Sequence, residues 1–180
     1  MRHADALVIG FIVGMSMSAR ASAETGNALI TGTAEGSSVT GTATLIETAD
    51  IKANTPSLIV KILVADVSPG KHAIHIHQYG DCGDNGNAAG SHFNPDGVQH
   101  GFLPTDGFAK AHPGDLGNIE VGPDGSGSLD VLLPGVTLIS GKYSVAGRAI
   151  VLHDKVDDFG QPTGNAGSRI GCGPILITKE

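Results

Sequence analysis

The chain has 180 residues, and its 18 Asp and Glu outnumber 11 Lys and Arg, for a formal charge of −7 with histidine neutral. That length suits one domain plus a trimmed leader. The acidic balance argues against nucleic acid or an anionic membrane as a partner.

Residues 6–14, "ALVIGFIVG", are apolar and nearly unbroken, with Arg2 and His3 before them and "ASA" at 21–23 after them. A basic start, a short apolar run and a small-residue cleavage site make a secretory signal peptide over 1–23. The run is shorter than the roughly 20 residues of a membrane span; the alternative is an uncleaved N-terminal anchor. Cleavage after Ala23 leaves a domain of residues 24–180. It removes Asp5, Arg2 and Arg20, so the exported domain carries about −8. No lipidation cysteine lies near the site, so the exported form is expected to be free of the membrane, in a periplasm or outside the cell.

Glycine is abundant, at 27 residues, and tryptophan is absent. Short β-branched runs separated by Gly, Pro, Asn or Asp recur, and no long 3.6-residue period appears. Strands are expected over 28–35, 38–48, 57–67, 71–79, 118–122, 127–133, 143–153 and 169–178. In 57–67, Leu58, Val60, Ile62 and Val64 share one face. About eight such strands imply an all-β, immunoglobulin-like Greek-key antiparallel sandwich or flattened barrel. Residues 80–117 and 154–168 break the rhythm as two long Gly/Asp/Asn-rich loops, short of apolar residues, which in a compact domain signals function. Two cysteines, Cys82 and Cys172, in an exported chain most simply form one disulfide closing a long loop.

In "KHAIHIHQYG" (71–80), side chains two apart share a face, so His75 and His77 point one way while Ile74 and Ile76 point into a core. His72 is out of that register and reads as a structural histidine. A same-face pair alone also fits a solvated strand edge. The long loop adds His92, His100 and His112, with Asp115 three residues further on. Imidazole suits zinc and copper, and zinc also accepts Asp oxygen. A loop poor in apolar residues needs another ordering force, which metal ligation supplies. His153 ends the run "AIVLH". Asp157 beyond it could orient a metal-bound imidazole, or Asp154, Asp157 and Asp158 could form a solvated charge run. Spacing does not say which cluster takes which metal.

"HAIHIHQYGDC", "GSHFNP" (90–95), "HPGDLGN" (112–118), "AIVLHDKVDD" (149–158) and "GNAGSRIGCG" (164–173) occur in this order. Together they resemble the secreted, bacterial-type copper/zinc superoxide dismutases, over nearly all of the chain after residue 23. The resemblance implies dismutation of superoxide to dioxygen and hydrogen peroxide by a redox-cycling copper joined through the His92 imidazolate to a structural zinc. It implies copper on His75, His77, His92 and His153, and zinc on His92, His100, His112 and Asp115. Asp157 then links the outer nitrogens of His75 and His100, Arg169 and His92 serve catalysis, and Cys82 pairs with Cys172. Relative to the eukaryotic form, the segment from His153 to Arg169 is shorter and lacks the Glu/Lys-rich steering elements, and His100 to His112 is longer. The sequence leaves the oligomeric state open, with a homodimer among the alternatives, and assigns no dimer contacts. The competing readings are a non-catalytic copper/zinc carrier or metallochaperone-like domain, and a zinc hydrolase. The hydrolase would need an open zinc position that three histidines and an aspartate do not leave.

Overall fold

A computed structural model describes residues 24–50 and 55–178. The expected signal peptide, 1–23, lies outside the described residues. Nine strands form the fold: β1 (Thr25–Gly32), β2 (Thr40–Asp50), β3 (Thr55–Ala65), β4 (Gly70–His77), β5 (Asp115–Val121), β6 (Gly127–Pro134), β7 (Ala149–His153), β8 (Arg169–Pro174) and β9 (Leu176–Thr178). They run in the order β2-β3-β6-β5-β4-β7-β8-β1-β9, and β1 also pairs with β2. That pairing closes the sheet into a flattened antiparallel barrel. Closure leaves the main strands no open edge. β3 pairs with β6 while β4 and β5 pair with each other, the Greek-key arrangement. Among the described residues no helix is long and apolar enough to cross a membrane.

The inward row of β3 is the expected one, with Leu58, Val60, Ile62 and Val64 all buried beside Ile74 and Ile76 of β4. Several element boundaries depart from the sequence reading; the strand expected over 28–35 runs Thr25–Gly32. The expected strand 169–178 is two strands, because Pro174 offers no N–H and the buried Ile175 turns aside. Ile175 instead donates to the Arg148 carbonyl and accepts from Gly147. The expected strand 143–153 begins only at Ala149, since Gly147 sits at φ 73, a left-handed conformation that ends pairing there. The 118–122 strand starts earlier, at Asp115.

The first long loop, 78–114, is less devoid of apolar anchors than expected. It contains a 3-10 turn (Asn87–Ala89) and a single helical turn, α1 (Leu103–Asp106), and it sends Phe93, Leu103 and Ala111 into the main core. Phe93 N–H donates to the Ile76 carbonyl, and Ile76 N–H donates to Gly114, so the loop is tied to β4 on its histidine-bearing stretch. The disulfide Cys82–Cys172 pins its start to β8. The second loop, 154–168, is tied to β4, where Ala73 N–H donates to the Lys155 carbonyl.

A disulfide spanning 90 residues removes much unfolded-state entropy. Replacing both cysteines by serine is predicted to lower stability by about 4 kcal/mol in urea unfolding. A loss below about 1 kcal/mol would show that the bridge orders the loop without stabilising the barrel.

Candidate metal centre

β4 alternates two kinds of side chain. Ile74 and Ile76 are fully buried in the barrel, and His75 and His77 emerge on the opposite side, under the two loops. β7 is the hydrogen-bonded neighbour of β4, in register Ile74↔Leu152, and it brings His153 to the same side. His92 lies across an isolated bridge from His77. Asp115 starts β5 opposite His75. His100 and His112 come from the loop and Asp157 from the second loop. All eight of these histidines and aspartates are buried, whereas the neighbouring Asp154 and Asp158 are exposed. The charge-run alternative therefore fails for Asp157.

Ligand atoms converge in two groups: His75, His77, His92 and His153, and His75, His92, His100 and Asp115. The outer nitrogens reveal where the inner lone pairs point. A carbonyl or carboxylate only accepts, so a ring nitrogen bonded to one carries the proton and the other nitrogen keeps its lone pair. His77 Nδ1–H donates to the Gly90 carbonyl (2.9 Å), and His153 Nδ1–H reaches the Gly167 carbonyl at 3.4 Å. Their Nε2 atoms then face each other as two lone pairs 3.4 Å apart, an arrangement that a shared cation satisfies. His75 and His100 both donate through Nε2 to Asp157, each at 2.9 Å. Their Nδ1 atoms are buried without a hydrogen-bond partner. His100 Nδ1 does lie 2.9 Å from Asp115 Oδ2, but out of line for a hydrogen bond. Buried nitrogens left unsatisfied in this way fit metal ions.

His112 falls outside the second convergent group, yet its Nδ1 is 3.0 Å from Asp115 Oδ1 and its Nε2–H donates to the Val98 carbonyl at 3.2 Å. His92 Nδ1 lies 3.1 Å from the same Asp115 oxygen, which leaves Nε2 for the His77 and His153 side. His72 joins neither group. Its Nδ1 lies 2.9 Å from the His153 carbonyl and its Nε2 lies 3.2 Å from the Ser68 hydroxyl and 2.8 Å from the Ser68 carbonyl, in the structural role its register implied.

The two sides differ electrostatically. Burial, partly opposed by the Asp157 bond, lowers His75 to about 3. Burial likewise lowers His77 to about 2 and His153 to about 4. These rings are neutral ligands at any physiological pH. Burial pulls on His100 too, but the hydrogen bonds and charges of Asp115 and Asp157 outweigh it and raise His100 to about 9. Burial would raise the carboxyls of Asp115 and Asp157, yet their histidine bonds hold both far below the usual range. Two buried carboxylates thus demand a positive charge at His100, which either a proton or a metal ion supplies.

Beside the first group opens a cleft of about 130 Å³, lined by His77, His92, His153, Thr163 and Arg169. The Arg169 guanidinium donates to the Gly86 and Gly90 carbonyls at 2.5 and 2.6 Å, so the disulfide-pinned loop aims it. Several supporting groups carried no sequence signal. The Gly90 and Gly167 carbonyls orient two imidazoles, and backbone acceptors leave no mark in residue type. Asn118, which exchanges two hydrogen bonds with the Asp157 backbone at 2.7 and 3.0 Å, looked like any strand-start asparagine.

Residues 39–175 match the family model described as copper/zinc superoxide dismutase (SODC). The chain is 40% identical over 143 residues to an "Extracellular superoxide dismutase [Cu-Zn]" of Caenorhabditis elegans, covering 76% of this chain and 63% of that protein, so it spans less than two thirds of that relative. It is 41% identical over 133 residues to "Superoxide dismutase [Cu-Zn] 5" of Dictyostelium discoideum, covering 70% and 85% of the two chains. Among solved structures, the clock protein EA4 superposes with a TM-score of 0.74 at 31% identity, covering 89% of this chain and 98% of that one.

Since Asp115 and Asp157 keep His100 protonated up to about 9, a zinc ion bound at this ring would have to displace that proton. Zinc uptake at pH 8 is predicted to release about one proton from this group, and affinity to weaken as pH falls. Calorimetry in two buffers of different ionisation enthalpy measures it. Proton release near zero at pH 8 would contradict the charge balance at His100.

Proposed function

The chain belongs to the copper/zinc superoxide dismutase family, and from that premise we propose that it dismutates superoxide: two anions and two protons yield dioxygen and hydrogen peroxide. The observation that carries this reading is His92: of the two imidazoles in both convergent groups, His75 has one nitrogen committed to Asp157, while His92 lines a small cleft with a fixed guanidinium.

Copper is assigned to His75, His77, His92 and His153, and zinc to His92, His100, His112 and Asp115. Only one side offers a carboxylate oxygen, which favours zinc there. His75 has Nε2 committed to Asp157, so its one free nitrogen serves a single metal. We place it with His77 and His153, whose opposed nitrogens need it to complete the set. His112 takes its place on the zinc side through the Nδ1 beside Asp115. Copper supplies a one-electron couple in such an imidazole site, whereas zinc has no redox chemistry.

The chain's own groups do the rest. Arg169 stays charged and presents N–H donors left over from its two carbonyl bonds to a small anion. On a chain of net charge −7, it gives the cleft a local positive field. The cleft, about 130 Å³, has room for an anion as small as superoxide. His92 turns its Nδ1, the nitrogen that would serve the zinc side, toward Asp115. His92 can then hold or release a proton at Nε2, on the cleft side, where the peroxide product needs one. A non-catalytic copper/zinc carrier would have no use for an arginine held at the cleft by two carbonyls.

The signal peptide at 1–23, the enzyme domain at 24–180 and export to a periplasm or outside the cell complete the proposal. It is supported by the leader-like sequence and by a relative named extracellular. Assignment to the bacterial-type branch rests on the shortened segment between His153 and Arg169. A homodimer is proposed for the exposed apolar side chains Leu29, Leu63, Tyr79 and Leu176; sedimentation at micromolar concentration should give twice the chain mass, and a monomer mass would contradict it.

Protein loaded with copper and zinc should accelerate superoxide decay in proportion to its copper content. Full metal loading without acceleration would defeat the enzyme reading. Arg169→Ala is predicted to keep both metals, to slow decay by at least about tenfold at low ionic strength, and to flatten the salt dependence. An unchanged rate at low salt would remove Arg169 from substrate binding.

A further inference from the structure

His100 holds the ring on which both carboxylates converge, yet it belongs to no strand or helix. Among the described residues its main-chain N–H and C=O have one partner, the side chain of Gln161. His100 N–H donates to Gln161 Oε1 at 2.9 Å, and Gln161 Nε2–H donates to the His100 carbonyl at 2.9 Å. A single amide group thereby does for residue 100 what a neighbouring strand does for a strand residue. We propose that Gln161 is a positioning residue for the zinc side of the centre, fixing the His100 backbone so that its ring meets Asp115 and Asp157 together. This inference rests on the assignment of His100 to zinc made above.

The surrounding contacts make the same segment a clamp. Two residues before Gln161, Phe159 lies at φ 59, a costly conformation for an aromatic residue. There its N–H donates to Asp157 Oδ1 at 2.8 Å, and its ring lies nearly parallel to the His100 ring, 6.2 Å between centroids and 20° apart. Three residues after Gln161, Gly164 lies at φ 72 with its backbone against Asp157 and His100 Nε2, where a Cβ would collide. The loop therefore grips His100 on its ring face, its outer nitrogen and its backbone. Gln161 is the one contact that touches neither the ring nor Asp157. Its loss should loosen His100 while leaving the Asp157 bond to His75, and hence the copper side, in place. Gln161 is itself exposed, so its role is not core packing.

The test uses the full copper- and zinc-loaded protein and follows zinc and copper release into a chelator. Gln161→Ala is predicted to speed zinc release by about tenfold to a hundredfold, the range for residues that orient a metal ligand, with copper release within about twofold of wild type. Gln161→Glu keeps the acceptor for the His100 N–H and loses the donor, so it should fall between. Cobalt(II) in the zinc position adds a spectroscopic readout: its visible bands should shift or weaken in Gln161→Ala. Equal zinc release in Gln161→Ala and wild type would overturn the inference while leaving the zinc assignment intact. Release of both metals at equally raised rates would also overturn it, by showing general loosening of the loop. Wild-type protein that binds no zinc would defeat the assignment and the inference together.

Discussion

The centre depends on one constraint: buried imidazoles whose outer nitrogens are tied to carbonyls or carboxylates must direct their remaining lone pairs at one another. His77 and His153 do this across 3.4 Å, and His75 does it with an Nδ1 that has no other partner. Neutral lone pairs repel when packed this closely in a dry interior. The barrel holds them because β4 and β7 are fixed by their apolar faces, and the loops are fixed by the disulfide and by hydrogen bonds to the Ile76 backbone. The fold thus supplies the rigidity, and a pair of cations relieves the frustration it creates.

Asp157 and Asp115 set the division of labour. Asp157 spans His75 and His100 from outside, so the two groups share a second contact besides His92. Asp115 gathers His92, His100 and His112 from inside. One side is therefore anionic and favours zinc, while the other is built of neutral rings kept neutral by burial. That asymmetry gives a physical reason for two different metals a short distance apart.

Much of this was legible in the sequence because it follows from period and spacing. Alternation in "KHAIHIHQYG" separates Ile74 and Ile76 from His75 and His77, and the structure keeps that separation. The same reasoning set His72 apart. The long loops were recognisable by composition, although Phe93 and Leu103 bind the first one to the core more firmly than its glycines suggested. What the sequence could not reveal is what depends on chain paths meeting in space. The split at Pro174 needed Ile175 to find Gly147 and Arg148. The carbonyls of Gly86, Gly90 and Gly167 act through backbone atoms. Gln161 reads as an ordinary loop residue until its side chain is seen on the backbone of residue 100.

The central claim is that one histidine, His92, is shared by the two metal groups. Protein carrying copper(II) on one side and cobalt(II) on the other tests it by electron paramagnetic resonance. A bridging imidazolate couples the two ions, so the copper(II) signal should be lost when cobalt binds and should return in His92→Ala. A full copper signal beside bound cobalt in the unmodified chain would contradict the account.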